Sequence, residues 1–243
     1  MNAGFLNVYD DRARAAAYAR LEFPGTYYLA FRDLPAILGQ HIQGRAAVDF
    51  GCGTGRSTRF LRGLGFNVVG VDIAQEMLAQ ARARDPAGDY RLAREGDVGG
   101  LAPHAYDLVF SAFTFDNVPT LEQKAALLRS LKRLLKDHGR IVNLVSTPEI
   151  YVNEWASFST RAFPENRHAR SGDKVLIVML DVPDRRPVED ILCTDADYRA
   201  AYQQAGLTPL QTYRPLAKPT EPLPWVSETA IAPWAIYVLG TAD

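Results

Sequence analysis

Apolar positions along the chain change their spacing several times, and the changes mark its elements. Asp10 to Glu22 is rich in Ala and Arg and predicts a helix, broken by Pro24-Gly25. Tyr27 to His41 predicts a second helix, with Phe31, Leu34, Ile37 and Leu38 at helical spacing and Pro35 as a kink. From Arg45 the period shortens. Ala46 to Phe50 predicts a buried strand, Gly51-Cys52-Gly53-Thr54-Gly55 a tight turn, and Ser57 to Leu64 a helix stopped by Gly65. Phe66 to Val71 and Asp89 to Ala93 predict strands around a helix from Ala74 to Arg84. Tyr106 to Phe113 is a strongly apolar strand. Thr120-Leu121-Glu122-Gln123 has the form of a capping box, and the helix it opens carries Leu127, Leu128, Leu131, Leu134 and Leu135 up to Gly139. Arg140 to Val145 predicts the next strand.

Strands and helices thus alternate from Arg45 to Ser146, which predicts a parallel, doubly wound α/β sheet. The alternation lapses between Thr147 and Leu192. There Val175–Val182 and Val188–Leu192 predict a β-hairpin around Pro183-Asp184-Arg185-Arg186-Pro187. Thr194 caps a helix that runs to Gln204 and stops at Gly206. Leu207–Arg214 and Trp234–Leu239 predict two last strands around a proline-rich loop from Pro215 to Pro233. The expectation is one domain over residues 1–243. It has a helical lid (1–44), a core (45–146), an insert (147–193) and a closing helix with two strands (194–243).

Composition narrows the partners. The chain has 243 residues, 47% hydrophobic and 23% charged, with 27 Lys and Arg against 28 Asp and Glu, a net charge of −1. Disorder as the general state is excluded, and so is the concentrated basic surface of a nucleic-acid groove. No apolar run approaches the roughly 18 residues of a membrane span, and Met1 to Arg20 has no apolar signal region, so a cytoplasmic protein without a membrane partner is expected. Two cysteines without a CxxC, and four histidines without HxH or HExxH spacing, give neither a disulfide framework nor a zinc site.

Chemistry gathers at the glycine turn. Glycines between a buried strand and a helix start let the backbone turn sharply and approach a ligand, while the free N–H groups of the helix start attract acceptors. Asp72 ends the next strand, where an acid in such a fold can take both hydroxyls of a ribose. Asp97 follows the third strand, placed for an exocyclic amine. Taken alone, Asp72 reads equally as a helix cap and Asp97 as a turn acid. Asp49 orders the glycine turn. Cys52 contributes backbone and bulk rather than a thiolate, and Met77 is either helix core or a packing surface for adenine. Together these features describe an adenosine-containing cofactor.

The turn reads G-x-G-x-G rather than the G-x-G-x-x-G of a dinucleotide fold. Here the sequence resembles the class I S-adenosylmethionine-dependent methyltransferases. Val48-Asp49-Phe50-Gly51-Cys52-Gly53-Thr54-Gly55 matches that family's first motif, Val69-Gly70-Val71-Asp72 its ribose acid, and Glu95-Gly96-Asp97-Val98 its adenine turn. Tyr106 to Ser111 matches its fourth strand and Gly139-Arg140-Ile141-Val142 the start of its fifth. The resemblance is firm from about residue 45 to 145 and looser over the last strands. It implies a Rossmann-like seven-stranded sheet and S-adenosyl-L-methionine as methyl donor, with S-adenosyl-L-homocysteine as the product. The candidate donor-binding residues are Tyr18, Tyr28, Gly51, Cys52, Gly53, Arg56, Ser57, Asp72, Ile73, Met77, Asp97, Val98, Ser111 and Phe113. Arg14, Arg20 or Arg56 is the candidate for the donor's carboxylate.

Acceptor residues are expected after the fourth strand and in the two aromatic-rich covers. Phe115, Asn117, Trp155, Arg170 and Trp225 are candidates for substrate binding, and His168, Asp116 and Tyr9 for catalysis, with His168 as a general base. Ser111-Ala112-Phe113 lacks the Asp/Asn-Pro-Pro-aromatic motif of nucleic-acid amino-methyltransferases. Asp116-Asn117 offers only part of the carboxylate cluster of metal-dependent catechol enzymes, so no metal is expected. The expected partner is a small-molecule acceptor methylated on nitrogen or oxygen, a heteroaromatic such as an azapteridine among them. A non-catalytic S-adenosylmethionine-binding partner protein and a nicotinamide-dependent oxidoreductase are the competing readings. Oligomeric state is left open.

Overall fold

The computed structural model describes residues 22–94, 98 and 100–241. Its centre is a sheet whose strands alternate side chains between two buried faces. β1 (Ala46–Phe50), β2 (Asn67–Asp72), β3 (Asp89–Leu92), β4 (Tyr106–Ala112) and β5 (Leu135–Ser146) run parallel. β9 (Leu207–Tyr213) and β10 (Trp234–Thr241) extend the sheet to seven strands in the order β3-β2-β1-β4-β5-β10-β9. β10 lies antiparallel to both of its neighbours. The order reverses at β1, with β2 on one side and β4 on the other, and such a switch point opens a crevice at the carboxyl ends of the strands.

Period-two alternation explains why both faces are covered. Ala47, Leu108, Phe110, Val142 and Leu144 enter one core, with α1 (Gly25–Arg32), α2 (Leu34–His41) and Leu61 of α3 (Arg56–Gly63). Val48, Val109, Ile141 and Val145 enter the other, beneath α5 (Leu121–Lys132) and α6 (Asp195–Gln204). α4 (Gln75–Arg84) packs on β2 and β3. Thr120 closes the capping box with Gln123 as its sequence predicts, and Thr194 caps α6.

Two local expectations change. The helix predicted over 27–41 is two helices parted at Asp33, and Pro35 sits in the first turn of α2, where no backbone donor is needed. α5 ends at Lys132 and β5 begins at Leu135, so Leu134 and Leu135 leave the helix and Gly139 lies inside the strand. A Cβ at Gly139 would stand 2.8 Å from the Tyr106 carbonyl oxygen. The helix predicted over Asp10–Glu22 lies, but for its last residue, outside the described residues.

The insert after β5 forms a second, three-stranded sheet in the order β6 (Phe158–Ser159), β7 (Lys174–Met179), β8 (Val188–Ile191). The predicted hairpin is β7–β8, antiparallel. β6 is too short to leave a periodic signal. Glu228, fully buried in the loop before β10, ties this roof to the rest. Its Oε1 accepts the Thr26 hydroxyl of α1 (2.6 Å) and the Ala156 N–H of the insert (2.8 Å), while Oε2 accepts Val226 N–H (2.8 Å).

Candidate active site

The chain turns out of β1 through Gly51 (φ +72°), Gly53 (φ +51°) and Gly55 (φ +77°), a left-handed backbone that side chains oppose. Gly51 is also packed tight, since a Cβ there would meet the Thr114 hydroxyl. Gly53 differs: nothing lies within 4 Å of the position its Cβ would take. Its open backbone forms part of the wall of a cavity of about 1030 Å³ that spans the carboxyl ends of the parallel strands. Asp72 stands beside it. Oδ2 accepts the Gly53 N–H at 2.7 Å and Oδ1 the Ala74 N–H at 2.8 Å, which holds the acid against the loop at the cavity edge. Ile73, with 47% of its surface exposed, and the buried Met77 line the same end.

Asp49 braces the loop from below. Its Oδ2 accepts the hydroxyls of Ser57 (2.7 Å) and Thr58 (2.6 Å), and its Oδ1 has no hydrogen-bond partner among the described residues. Burial pushes its carboxyl up to about 6, against the pull of the two hydroxyls. Burial, with Asp72 and Asp49 nearby, also holds the Cys52 thiol well above its usual range, which removes it as a nucleophile. An open backbone cradle, an acid at the strand end and an orphaned buried acceptor below the loop together fit the adenosine-containing donor that the glycine turn predicts.

The far end of the cavity is aromatic and acidic. Phe113 has a left-handed backbone (φ +64°), uncommon for a bulky residue, and its ring sits 4.8 Å from that of Trp234 and 5.8 Å from that of Tyr27. Phe158 stands 5.1 Å from Tyr27. Asp116 of the 3₁₀ turn Thr114–Asn117 and Asp190 of β8 also line the cavity. Asp116 is buried and held by the Ser146 N–H (3.3 and 3.1 Å to its two oxygens) and the Tyr198 hydroxyl (3.0 Å). Asp190 accepts the Tyr151 hydroxyl at 3.1 Å. Burial, and then Asp116, push the Asp190 carboxyl up to about 8. Burial raises Asp116 as well, opposed by Ser146, Lys124 and Tyr198. Lys124 itself is buried and spends its ammonium on the carbonyls of Phe115 and Val118.

Residues 48–143 match the family model described as a methyltransferase domain. Over that core the chain is similar to the class I S-adenosylmethionine-dependent methyltransferases. A malonyl-[acyl-carrier protein] O-methyltransferase of Pectobacterium atrosepticum is 33% identical over 112 residues, 42% of this chain and 42% of that protein. The chain spans about half the length of the curated relatives it matches. Among solved structures, the CcbJ methyltransferase of Streptomyces caelestis has a TM-score of 0.66 at 18% identity, covering 97% of this chain and 98% of that one. The 1,6-didemethyltoxoflavin-N1-methyltransferase of Burkholderia thailandensis, solved with 1,6-didemethyltoxoflavin and S-adenosylhomocysteine, has a TM-score of 0.55 at 17% identity, covering 88% and 79%. These likenesses show the fold.

The cavity gathers Gly51, Cys52, Gly53, Arg56, Ser57, Asp72, Ile73, Met77, Phe113, Asp116 and Asn117 from the residues expected at the site. Arg56 lies with its guanidinium 4.5 Å from the centre of the Tyr27 ring. Other candidates stand elsewhere in the structure. His168 and Arg170 are exposed on and just after the turn Pro164–His168, with the Arg170 backbone N–H held by Asp173, and neither lines the cavity. Trp155 is core, its indole N–H on the Ile150 carbonyl. Trp225 and Tyr28 face each other at 6.4 Å outside the cavity wall. Ser111 and Phe115 are fully buried behind the wall, and Val98 packs on the core under α5. Tyr9, Tyr18, Asp97, Arg14 and Arg20 lie outside the described residues.

The expectations omitted Asp190, Tyr151 and Trp234 from the site. A signal for Asp190 exists, because alternation in Val188-Glu189-Asp190-Ile191-Leu192 puts an acid on the face of Val188, and both residues line the cavity. Tyr151 and Trp234 carry no such mark. Among the described residues no helix is long and apolar enough to cross a membrane.

Proposed function

We propose that this methyltransferase transfers a methyl group to a nitrogen or oxygen of a small molecule held at the aromatic end of the cavity. One observation carries the reading: a single cavity of about 1030 Å³ is lined at one end by Gly53 and Asp72 and at the other by Phe113, Trp234, Asp116 and Asp190. S-adenosylmethionine, when bound, supplies an electrophilic methyl on a positively charged sulfur. The glycine loop offers its backbone to the donor, Asp72 its carboxylate to the ribose hydroxyls, and Ile73 and Met77 the flanks of the adenine. The rings of Tyr27, Phe113, Phe158 and Trp234 exclude water and orient the acceptor, so that catalysis rests on alignment of nucleophile, methyl carbon and sulfur. The curated relative is named an O-methyltransferase and one structural neighbour an N1-methyltransferase, so both atoms belong to the proposal.

The test is a transfer assay with S-adenosylmethionine carrying a labelled methyl, run over small-molecule metabolite extracts, with products identified by mass. Label is expected in a small molecule. Tight S-adenosylhomocysteine binding with label in no small-molecule fraction would overturn the reading.

A further inference from the structure

The acceptor end of the cavity carries an imbalance of charge. Asp116 and Asp190 both line it, and among the described residues that the insert, β8 and the turn after β4 contribute to its wall, none is basic. Arg56 and Arg94 are the basic residues of the wall; Arg94 follows β3, and Arg56 follows the glycine loop with its guanidinium 4.5 Å from the centre of the Tyr27 ring. Behind the wall, Lys124 offers one positive charge to two carboxylates. Glu189 points away into an ion pair with Lys174 (2.8 Å). The two acids are also unlike. Asp116 accepts a backbone N–H on both oxygens and a tyrosine hydroxyl, the surroundings of a fixed anion. Asp190 is half-buried and faces Tyr151 as its hydrogen-bond donor. Phe113, Phe158 and Trp234 line the same cavity, and aromatic faces attract cations.

We propose that Asp190 is the group that takes the acceptor's proton, and that this end of the cavity selects an amine, entering as an ammonium ion, over a carboxylate or a neutral acceptor. The proposal rests on the methyl-transfer reading and narrows it to nitrogen. Asp190 as carboxylate takes one proton from R–NH₃⁺ and leaves R–NH₂ with its lone pair. The amine nitrogen forms the new C–N bond as the methyl carbon's bond to sulfur breaks, and that electron pair stays on sulfur. The methylated ammonium departs, and Asp190 returns its proton to solvent.

The groups facing Asp190 are Asp116 from the turn after β4, Tyr151 from the turn after β5, Lys124 from α5 and Glu189 beside it. Burial and Asp116 push the Asp190 carboxyl up to about 8, so below that pH it carries a proton. A permanent cation must therefore displace that proton to bind, and its affinity rises with pH until Asp190 is ionised. The experiment uses the whole chain saturated with S-adenosylhomocysteine, and titrates it with benzyltrimethylammonium, neutral neopentylbenzene and benzoate by calorimetry in two buffers of different ionisation heat. Benzyltrimethylammonium is expected to bind at least about tenfold more tightly at about pH 9 than at about pH 6, with proton release at the lower pH. Neopentylbenzene should bind more weakly and without pH dependence, and benzoate more weakly still. Asp190→Asn should bind the cation weakly at every pH while keeping its affinity for S-adenosylhomocysteine, and Asp190→Glu should restore the pH dependence. Equal or tighter binding of neopentylbenzene or benzoate, or undiminished cation binding by Asp190→Asn, would overturn the proposal while leaving methyl transfer intact. Failure of S-adenosylhomocysteine itself to bind would overturn both.

Discussion

The two ends of the cavity are built from different kinds of constraint. At the donor end the backbone dictates the residues: three left-handed positions call for glycine, and the acid that ends β2 is fixed by hydrogen bonds to the backbone N–H groups of Gly53 and Ala74. At the acceptor end no backbone geometry demands a given side chain, and the left-handed backbone of Phe113 opposes the one it carries. Its wall is assembled from β4, the insert and β10, whose residues meet only in three dimensions. A site of this design can keep one donor while its acceptor wall varies, because nothing in the glycine loop depends on what β8 presents.

The largest way to break that contrast is at Glu228. Glu228→Ala leaves the Thr26 hydroxyl and the Ala156 and Val226 N–H groups without their acceptor, and it should lower stability by about 3 kcal/mol in urea unfolding. A loss near zero would mean the roof is held by packing alone. Next comes the donor end itself. Asp72→Ala should weaken S-adenosylhomocysteine binding by about 2 kcal/mol in calorimetry, and unchanged affinity would remove Asp72 from the donor site.

A smaller effect separates the acceptor end. The folded Asp190 carboxyl stands above its ordinary value, so the protonated form favours the fold. Its contribution is complete below about pH 4 and is lost as pH rises through about 8. Asp190→Asn should therefore show a flatter stability curve than the parent between those limits. Identical curves would return Asp190 to an ordinary surface carboxylate. The smallest effect belongs to His168, which is exposed and outside the cavity wall. His168→Ala should leave turnover within about twofold and stability within about 0.5 kcal/mol, and a large loss of turnover would restore it to the acceptor end.

What the sequence disclosed follows the same division. Alternation and the glycine turn predicted the parallel core, and the Thr120 capping box, the β7–β8 hairpin and the two last strands stand where the pattern puts them. Boundaries failed where a tertiary contact intervenes, as at Leu134 and Leu135, which leave the helix because β5 begins early beside Tyr106. At the site, the residues after β4 were legible by topology, and Asp116 and Asn117 do line the cavity. His168, Arg170, Trp155 and Trp225 drew attention by chemical type, and type does not say which way a loop faces. Trp155 has its polar atom satisfied within its own turn, while His168 faces solvent. Asp190 was the opposite case, an acid hidden in a strand whose alternation alone marks it.

Glu228 has a further consequence for how such a protein changes by recombination. One carboxylate joins α1, the insert and the loop before β10, three stretches separated by most of the chain. A crossover that brings in a foreign segment at 147–193 delivers new walls to the acceptor end but meets a resident clasp made for another roof. Shuffled variants that inherit positions 26, 156 and 228 from a single parent should dominate the soluble fraction of any such library.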